Sequence, residues 1–175
     1  MRFIGRMRLY NGHMTSLEIL AQNVGVNERT LRRAVNEGTL HGSRTSPRTL
    51  ELSLAERRYI RRAWPLLGTL RRALRTEPNV LLAVLFGSAA TGSDTHQSDV
   101  DIAVELRDDS IDRIADLTVR LERATGRRVD LLRLDDIARE PTIALDVGVQ
   151  GRALVDRDGQ WTRRKAELAD GPDTA

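Results

Sequence analysis

The chain has 175 residues, 40% of them hydrophobic but only 3% aromatic, which allows one medium domain or two small ones with a core of Leu, Val, Ile and Ala. It has no cysteine, which excludes disulfides and thiolate metal sites and suits the cytoplasm, and no apolar run approaches the ~20 residues of a membrane span. The net charge of +3 is unevenly divided: residues 1–79 carry +9 with 15 Arg and 6 Glu, and residues 80–175 carry −6, which predicts two modules with different partners.

In chain order, Met1–Tyr10 is basic but lacks the apolar core and cleavage site of a signal peptide. Thr15 or Ser16 can cap a helix carrying Leu17, Ile19, Leu20 and Ala21, with a sharp turn at Gly25. Asn27 can cap a second helix that turns Leu31, Ala34 and Val35 inward and ends at Gly38. Arg29, Arg32 and Arg33 fall on its outer side. This arrangement resembles a helix-turn-helix whose recognition helix is Asn27–Glu37. The stretch after Gly38 reads as a two-stranded wing turning near Ser43–Pro47, with Arg44 and Arg48 placed to meet phosphates. The spacing, wing and local charge predict DNA binding through Arg29, Arg32, Arg33, Arg44 and Arg48. A plain helical hairpin with solvated arginines is the bland alternative.

From Leu54 an apolar stripe of Ala55, Ile60, Ala63, Leu66, Leu67, Leu70 and Leu74 is interrupted by Pro65. Proline suits a first helical turn but not an interior, so two helices are expected to meet at Trp64–Pro65 and join the modules. Such a stripe serves as core or as a homodimer interface, core being the commoner use.

Asn79–Phe86 reads as a buried strand that runs into Gly87-Ser88. Glycine lets a backbone approach a phosphate closely, and neighbouring amides with the Ser88 hydroxyl can donate to its oxygens. Gly92 closes the short turn. In Ser98–Val104, polar and apolar residues alternate, so Asp99 and Asp101 share one strand face while Val100, Ile102 and Val104 enter the core. Two carboxylates ~7 Å apart on one face repel unless hydrated or bound to cations. Hard divalent ions fit them, above all Mg²⁺, and two ions ~3.5–4 Å apart suit displacement at phosphorus. Ser110 can cap a helix with Ile111, Ile114, Thr118 and Leu121 on one face, ended by Gly126. A helix past Pro141 to Val149 and a strand over residues 151–158 follow. The segment from Gln160 is polar and expected to fray. His13, His41 and His96 have no metal-ligand spacing, and Asp94, in the loop, reads as solvation.

The spacing Gly87-Ser88, ten residues, then Asp99-Val100-Asp101 is similar to the signature of the minimal nucleotidyltransferases of the DNA polymerase β superfamily. The resemblance covers roughly residues 79–157. It implies a polymerase-β-like nucleotidyltransferase domain (mixed sheet flanked by helices) over 79–158; with the residue patterns above, the expected fold is α+β, with a winged helix-turn-helix over 1–53, a helical connector over 54–78, that domain, and a polar tail over 159–175. It also implies that Asp99, Asp101 and Asp130 are catalytic and hold two Mg²⁺ ions, and that Gly87, Ser88 and Gly92 bind the nucleotide. One departure is Thr91, where family members often carry a basic residue; Arg127 and Arg128 are candidate substitutes.

The implied activity is Mg²⁺-dependent transfer of a nucleoside monophosphate from ATP to an acceptor hydroxyl. The antitoxin-type members AMPylate a HEPN-type toxin protein, and the fused helix-turn-helix would add DNA-binding autoregulation. Thr91 keeps open a DNA-binding transcriptional regulator whose transferase domain senses nucleotide or binds a partner without catalysis. Transfer to a small molecule or tRNA ranks lower, because such enzymes usually carry a further acceptor-binding domain.

Overall fold

The computed structural model describes residues 16–44, 46 and 49–170. Ser16–Asn23 forms α1 and Glu28–Asn36 forms α2, joined by a turn at Gly25. Leu17, Leu20 and Ala21 are buried with Leu31 and Ala34, at the i, i+3, i+4 spacing that shares one helical face. Ile19 faces solvent instead. The Asn27 side chain accepts from the Thr30 amide at 2.8 Å, satisfying a donor that a helix start leaves free. Two short strands, β1 (Ser43–Arg44) and β2 (Leu50–Glu51), pair antiparallel with Arg44 opposite Leu50. Arg48, expected near the tip between them, lies outside the described residues, as do His13 and the stretch Met1–Tyr10.

The two helices expected to meet at Trp64–Pro65 are one. Helix α3 runs unbroken over 22 residues, Leu54–Arg75, with Pro65 inside it. An interior proline costs about 3 kcal/mol. Fully buried Ile60, Leu67, Leu70 and Leu74 lie on both sides of it, and at about 1.5–3 kcal/mol each they outweigh that cost. Pro65 itself is exposed, so water can reach the carbonyl its ring leaves without a donor. Ala55 is exposed too, while Glu56 beside it is buried.

The chain continues through β3 (Val80–Phe86), α4 (Gly87–Thr91), β4 (Val100–Leu106), α5 (Ile111–Thr125) and β5 (Val129–Arg133). It closes with α6 (Leu134–Ile137), α7 (Pro141–Gln150), β6 (Arg152–Asp156) and α8 (Trp161–Asp170). Four of these strands form a mixed sheet in the order β5-β4-β3-β6, with β4 and β5 parallel and β3 antiparallel to both its neighbours. Helices cover both faces, which is why β3 is apolar throughout rather than alternating. Ala83 and Leu85 pack with Leu67, Leu70 and Leu74 of α3 and with Leu117 and Leu121 of α5. Leu82, Val84 and Phe86 pack the other way, against Ile137, Ala144, Val147, Trp161 and Leu168 of α6, α7 and α8. The first cluster is continuous with the buried leucines of α1 and α2.

Two further expectations change. Ile111 is 85% exposed, and Leu117 takes its place with Leu121 on the buried face of α5. Residues 161–170, expected to fray, form α8: Trp161 and Leu168, two turns apart, are buried against α7. Gly148 makes this possible, since a Cβ there would stand 2.6 Å from the Ala169 nitrogen. The Asp156 carboxylate caps α8, accepting from the amides of Gln160 (2.9 Å) and Trp161 (3.1 Å).

Candidate active site

The site forms where β3 ends and β4 begins. Val100, Ile102 and Val104 point toward α3 and α5, so Asp101, sharing a face with Ala103, points the opposite way, toward the layer of α6, α7 and α8. Asp99 immediately precedes β4 on that same alternation. In the parallel register of β4 and β5, Asp101 lies opposite Asp130. Neighbouring strands run about 4.8 Å apart, so these two carboxylates leave the sheet side by side. Asp130 is exposed and Asp101 half-buried.

Gly87 opens α4 with φ +66 and lies directly against Asp101: a Cβ at this position would meet Asp101 Oδ2 at 2.5 Å. Glycine is thus required both by the positive φ and by the approach of the carboxylate. At the other end of the turn, Gly92 caps α4 with φ +79, its amide donating to the Ser88 carbonyl at 2.9 Å. Thr91 is exposed, and its hydroxyl bonds within the loop, to the Ser88 carbonyl at 3.1 Å and the Ser93 hydroxyl at 3.0 Å.

Asp146, which sequence reasoning passed over, and Asp94 and Arg127, which it named in other roles, shape this site. Asp146 of α7 accepts the Gly87 amide at 3.3 Å, so that amide, expected to face phosphate, has a protein partner. Asp94 is 12% exposed rather than solvating the loop, and it pairs with Arg62 at 2.9 Å and Arg127 at 2.8 Å. Arg127 also donates to the Ser98 carbonyl at 3.0 Å through Nε, tying the loop to the start of β4. Arg128 reaches only to 3.8 Å from Asp99 and is exposed. Asp146 carries no signal in the sequence, since it lies 45 residues beyond Asp101 on a helix of unremarkable pattern.

Burial first, and then the carboxylates of Asp130, Asp99 and Asp146, push the Asp101 carboxyl above the ordinary carboxylate range, with Arg127 opposing. A carboxylate penalised by like charges gains from a bound cation. All the donors are hard oxygens, the kind magnesium takes. Among the described residues no three acidic or histidine side chains close up tightly enough to cage an ion alone. Magnesium held by one or two carboxylates, with substrate phosphates completing its shell, needs no such cage. The set therefore fits.

Residues 69–160, more than half the chain, match the family model "Polymerase beta, Nucleotidyltransferase". The chain belongs to this family. As a nucleotidyltransferase it is similar to chains of several solved structures. One is a toxin–antitoxin with AMP-PNP, 28% identical, TM-score 0.48, covering 59% of this transferase and 84% of that chain. Another is the toxin–antitoxin MntA-HepT, 25% identical, TM-score 0.45, covering 61% and 84%. A third is a tri-AMPylated Shewanella oneidensis HEPN toxin in complex with MNT antitoxin, 25% identical, TM-score 0.46, covering 62% and 84%. No curated protein matches the chain. Among the described residues of the transferase no helix is long and apolar enough to cross a membrane.

The residues expected to touch DNA are spread over α2 and the β1–β2 hairpin. Arg29 and Arg44 are exposed. Arg32 pairs with Glu28 one turn back, and Arg33 with Glu37 at 2.6 Å. Arg71 and Arg75 of α3 also reach Glu37, so this end of α2 is a cluster of three arginines around one carboxylate.

Proposed function

We propose that this nucleotidyltransferase moves AMP from ATP to a hydroxyl on a HEPN-type toxin protein, acting as the antitoxin of the pair. The observation that carries the chemistry is the register of Asp101 with Asp130 beside Gly87, where the crowding of four carboxylates favours cations. Asp99, Asp101 and Asp130 would hold magnesium, which supplies charge neutralisation on the nucleotide phosphates. Gly87, Ser88 and Gly92 supply a backbone turn that admits the triphosphate closely. Asp130, exposed at the edge strand, receives the proton of the acceptor hydroxyl. The hydroxyl oxygen bonds to the α-phosphorus, the bond to the β-phosphate oxygen breaks, and pyrophosphate leaves. Rate comes from alignment and from fixed charge rather than from covalent catalysis. The choice of AMP and of a HEPN-type acceptor rests on the resemblance of the Gly87–Asp101 signature to antitoxin-type transferases.

The N-terminal module is proposed to bind DNA as a winged helix-turn-helix, giving control over the protein's own operon. Capped α2, the paired strands after it and the +9 charge of residues 1–79 support this. Arg32 and Arg33 would exchange their carboxylate partners for phosphates.

Incubation with α-labelled ATP, Mg²⁺ and a HEPN-type toxin tests the transferase reading. Label on the toxin, lost with chelator, is expected. Nucleotide binding with no label on any protein and no pyrophosphate release would favour a nucleotide-sensing regulator instead.

A further inference from the structure

Glu56, Tyr59 and Arg62 stand three residues apart on α3 and so share one helical face. All three bear on the nucleotide loop. The Tyr59 hydroxyl donates to the Ala89 carbonyl at 3.2 Å. Glu56 grips Arg152 at 2.7 and 2.9 Å, and Arg152 Nε donates to the Ala90 carbonyl at 2.6 Å, its guanidinium 3.5 Å above the Tyr59 ring. Arg62 donates to the carbonyls of Gly92 and Asp94 and, at 2.9 Å, to the Asp94 carboxylate.

The last carbonyls of a helix have no partner within it. At α4 those carbonyls are met by donors from α3 and β6. Gly92 rests on the same face, since a Cβ there would lie 3.0 Å from Tyr59 Cδ2. The loop itself, residues 87–98, has no lysine or arginine. Its shape on the outer side is set by Arg62, 50% exposed, and Arg127, both holding Asp94. Glu56, Tyr59 and Arg62 all precede residue 69, where the family segment begins.

We propose that Arg62, with Tyr59 beside it, is a positioning residue for the nucleotide: from outside the family segment it holds Gly92 and Asp94 in the conformation that receives the triphosphate. This rests on the reading of Gly87–Asp101 as the nucleotide site. Arg62 acts through the loop backbone and does not touch the reacting atoms. Its guanidinium serves a carbonyl pair and a carboxylate together, a geometry an ammonium cannot reproduce.

The test uses the full chain, with KM for ATP, kcat and melting temperature measured for wild type and for Arg62→Ala, Arg62→Lys and Tyr59→Phe. Arg62→Ala is expected to raise KM for ATP about ten- to hundredfold, from lost charge-assisted hydrogen bonds, with kcat changed by less than about threefold. Arg62→Lys is expected to fall between wild type and Arg62→Ala, and Tyr59→Phe to raise KM about two- to fivefold. A KM in Arg62→Ala within about twofold of wild type overturns the proposal. So does a fall in kcat with KM unmoved. If Arg62→Ala does not fold, Arg62→Lys decides by the same split. Wild type that neither binds nor uses ATP would sink the transferase reading and this inference with it; an active wild type with an indifferent Arg62 sinks this inference alone.

Discussion

Replacing Glu56 with Gln should destabilise the protein far more than a surface ion-pair change. Glu56 and Arg152 are 6% and 5% exposed, and both Glu56 oxygens accept from the guanidinium, at 2.7 and 2.9 Å. Glu56 also accepts from the His41 amide at 2.9 Å. Gln keeps the shape and one acceptor oxygen but leaves the Arg152 cation buried without a counter-charge. Breaking a buried pair from one side costs about 3–5 kcal/mol. For a chain of this length each kcal/mol lowers the melting temperature by about 2–4 °C, so a fall of about 6–20 °C is expected by circular dichroism. The double variant Glu56→Met/Arg152→Met should recover part of the loss, because removing both charges also removes their desolvation cost. A melting temperature for Glu56→Gln within about 2 °C of wild type would refute the claim that this pair joins α3 to the sheet.

Two other outcomes follow from the same structure. Burial, and next the Arg152 cation, lower the His41 pKa, with the Gly151 carbonyl and Glu56 opposing and Lys165 adding a little. The fold thus disfavours protonated His41 relative to the unfolded chain, which protonates it near its ordinary pKa of about 6.5, so its share of stability is present above that pH and drains away as pH falls below it. Thermal melts from pH 8 to about 5.5 should decline more steeply in wild type than in His41→Gln; parallel curves would remove His41 from the account. For DNA, Arg32→Ala/Arg33→Ala should reduce the slope of log K against log salt by about 1.8 if each arginine neutralises one phosphate, leaving ATP turnover unchanged. An unaltered slope would clear α2 of contact with the duplex.

Strand β4 was legible because its side-chain pattern is local. Asp99 and Asp101 alternate with Val100, Ile102 and Val104, and the buried set follows that alternation. The turn at Gly87 and Gly92 was legible from the glycines that bound it, while Asp130 was marked only by the family resemblance; the parallel register sets it opposite Asp101. Pro65 misled because a local rule about proline was outweighed by leucines whose burial depends on a sheet formed later in the chain. The segment after Gln160 misled because the apolar content of its helix is only Trp161 and Leu168 with the small Ala166 and Ala169, too sparse to mark a helix until α7 offers a surface. Asp146, Arg62 and Arg152 could not be read at all. Each reaches the loop from 30 to 62 residues away, and no pattern of period 2 or 3.6 carries such a contact.

The most direct test is transfer of label from α-labelled ATP by the double variant Asp99→Ala/Asp101→Ala, beside wild type and with both melts recorded. The account predicts that Mg²⁺-dependent labelling of the acceptor disappears while the variant melts no lower than wild type, because two crowded carboxylates have been removed. Labelling at the wild-type rate in a folded double variant would contradict it.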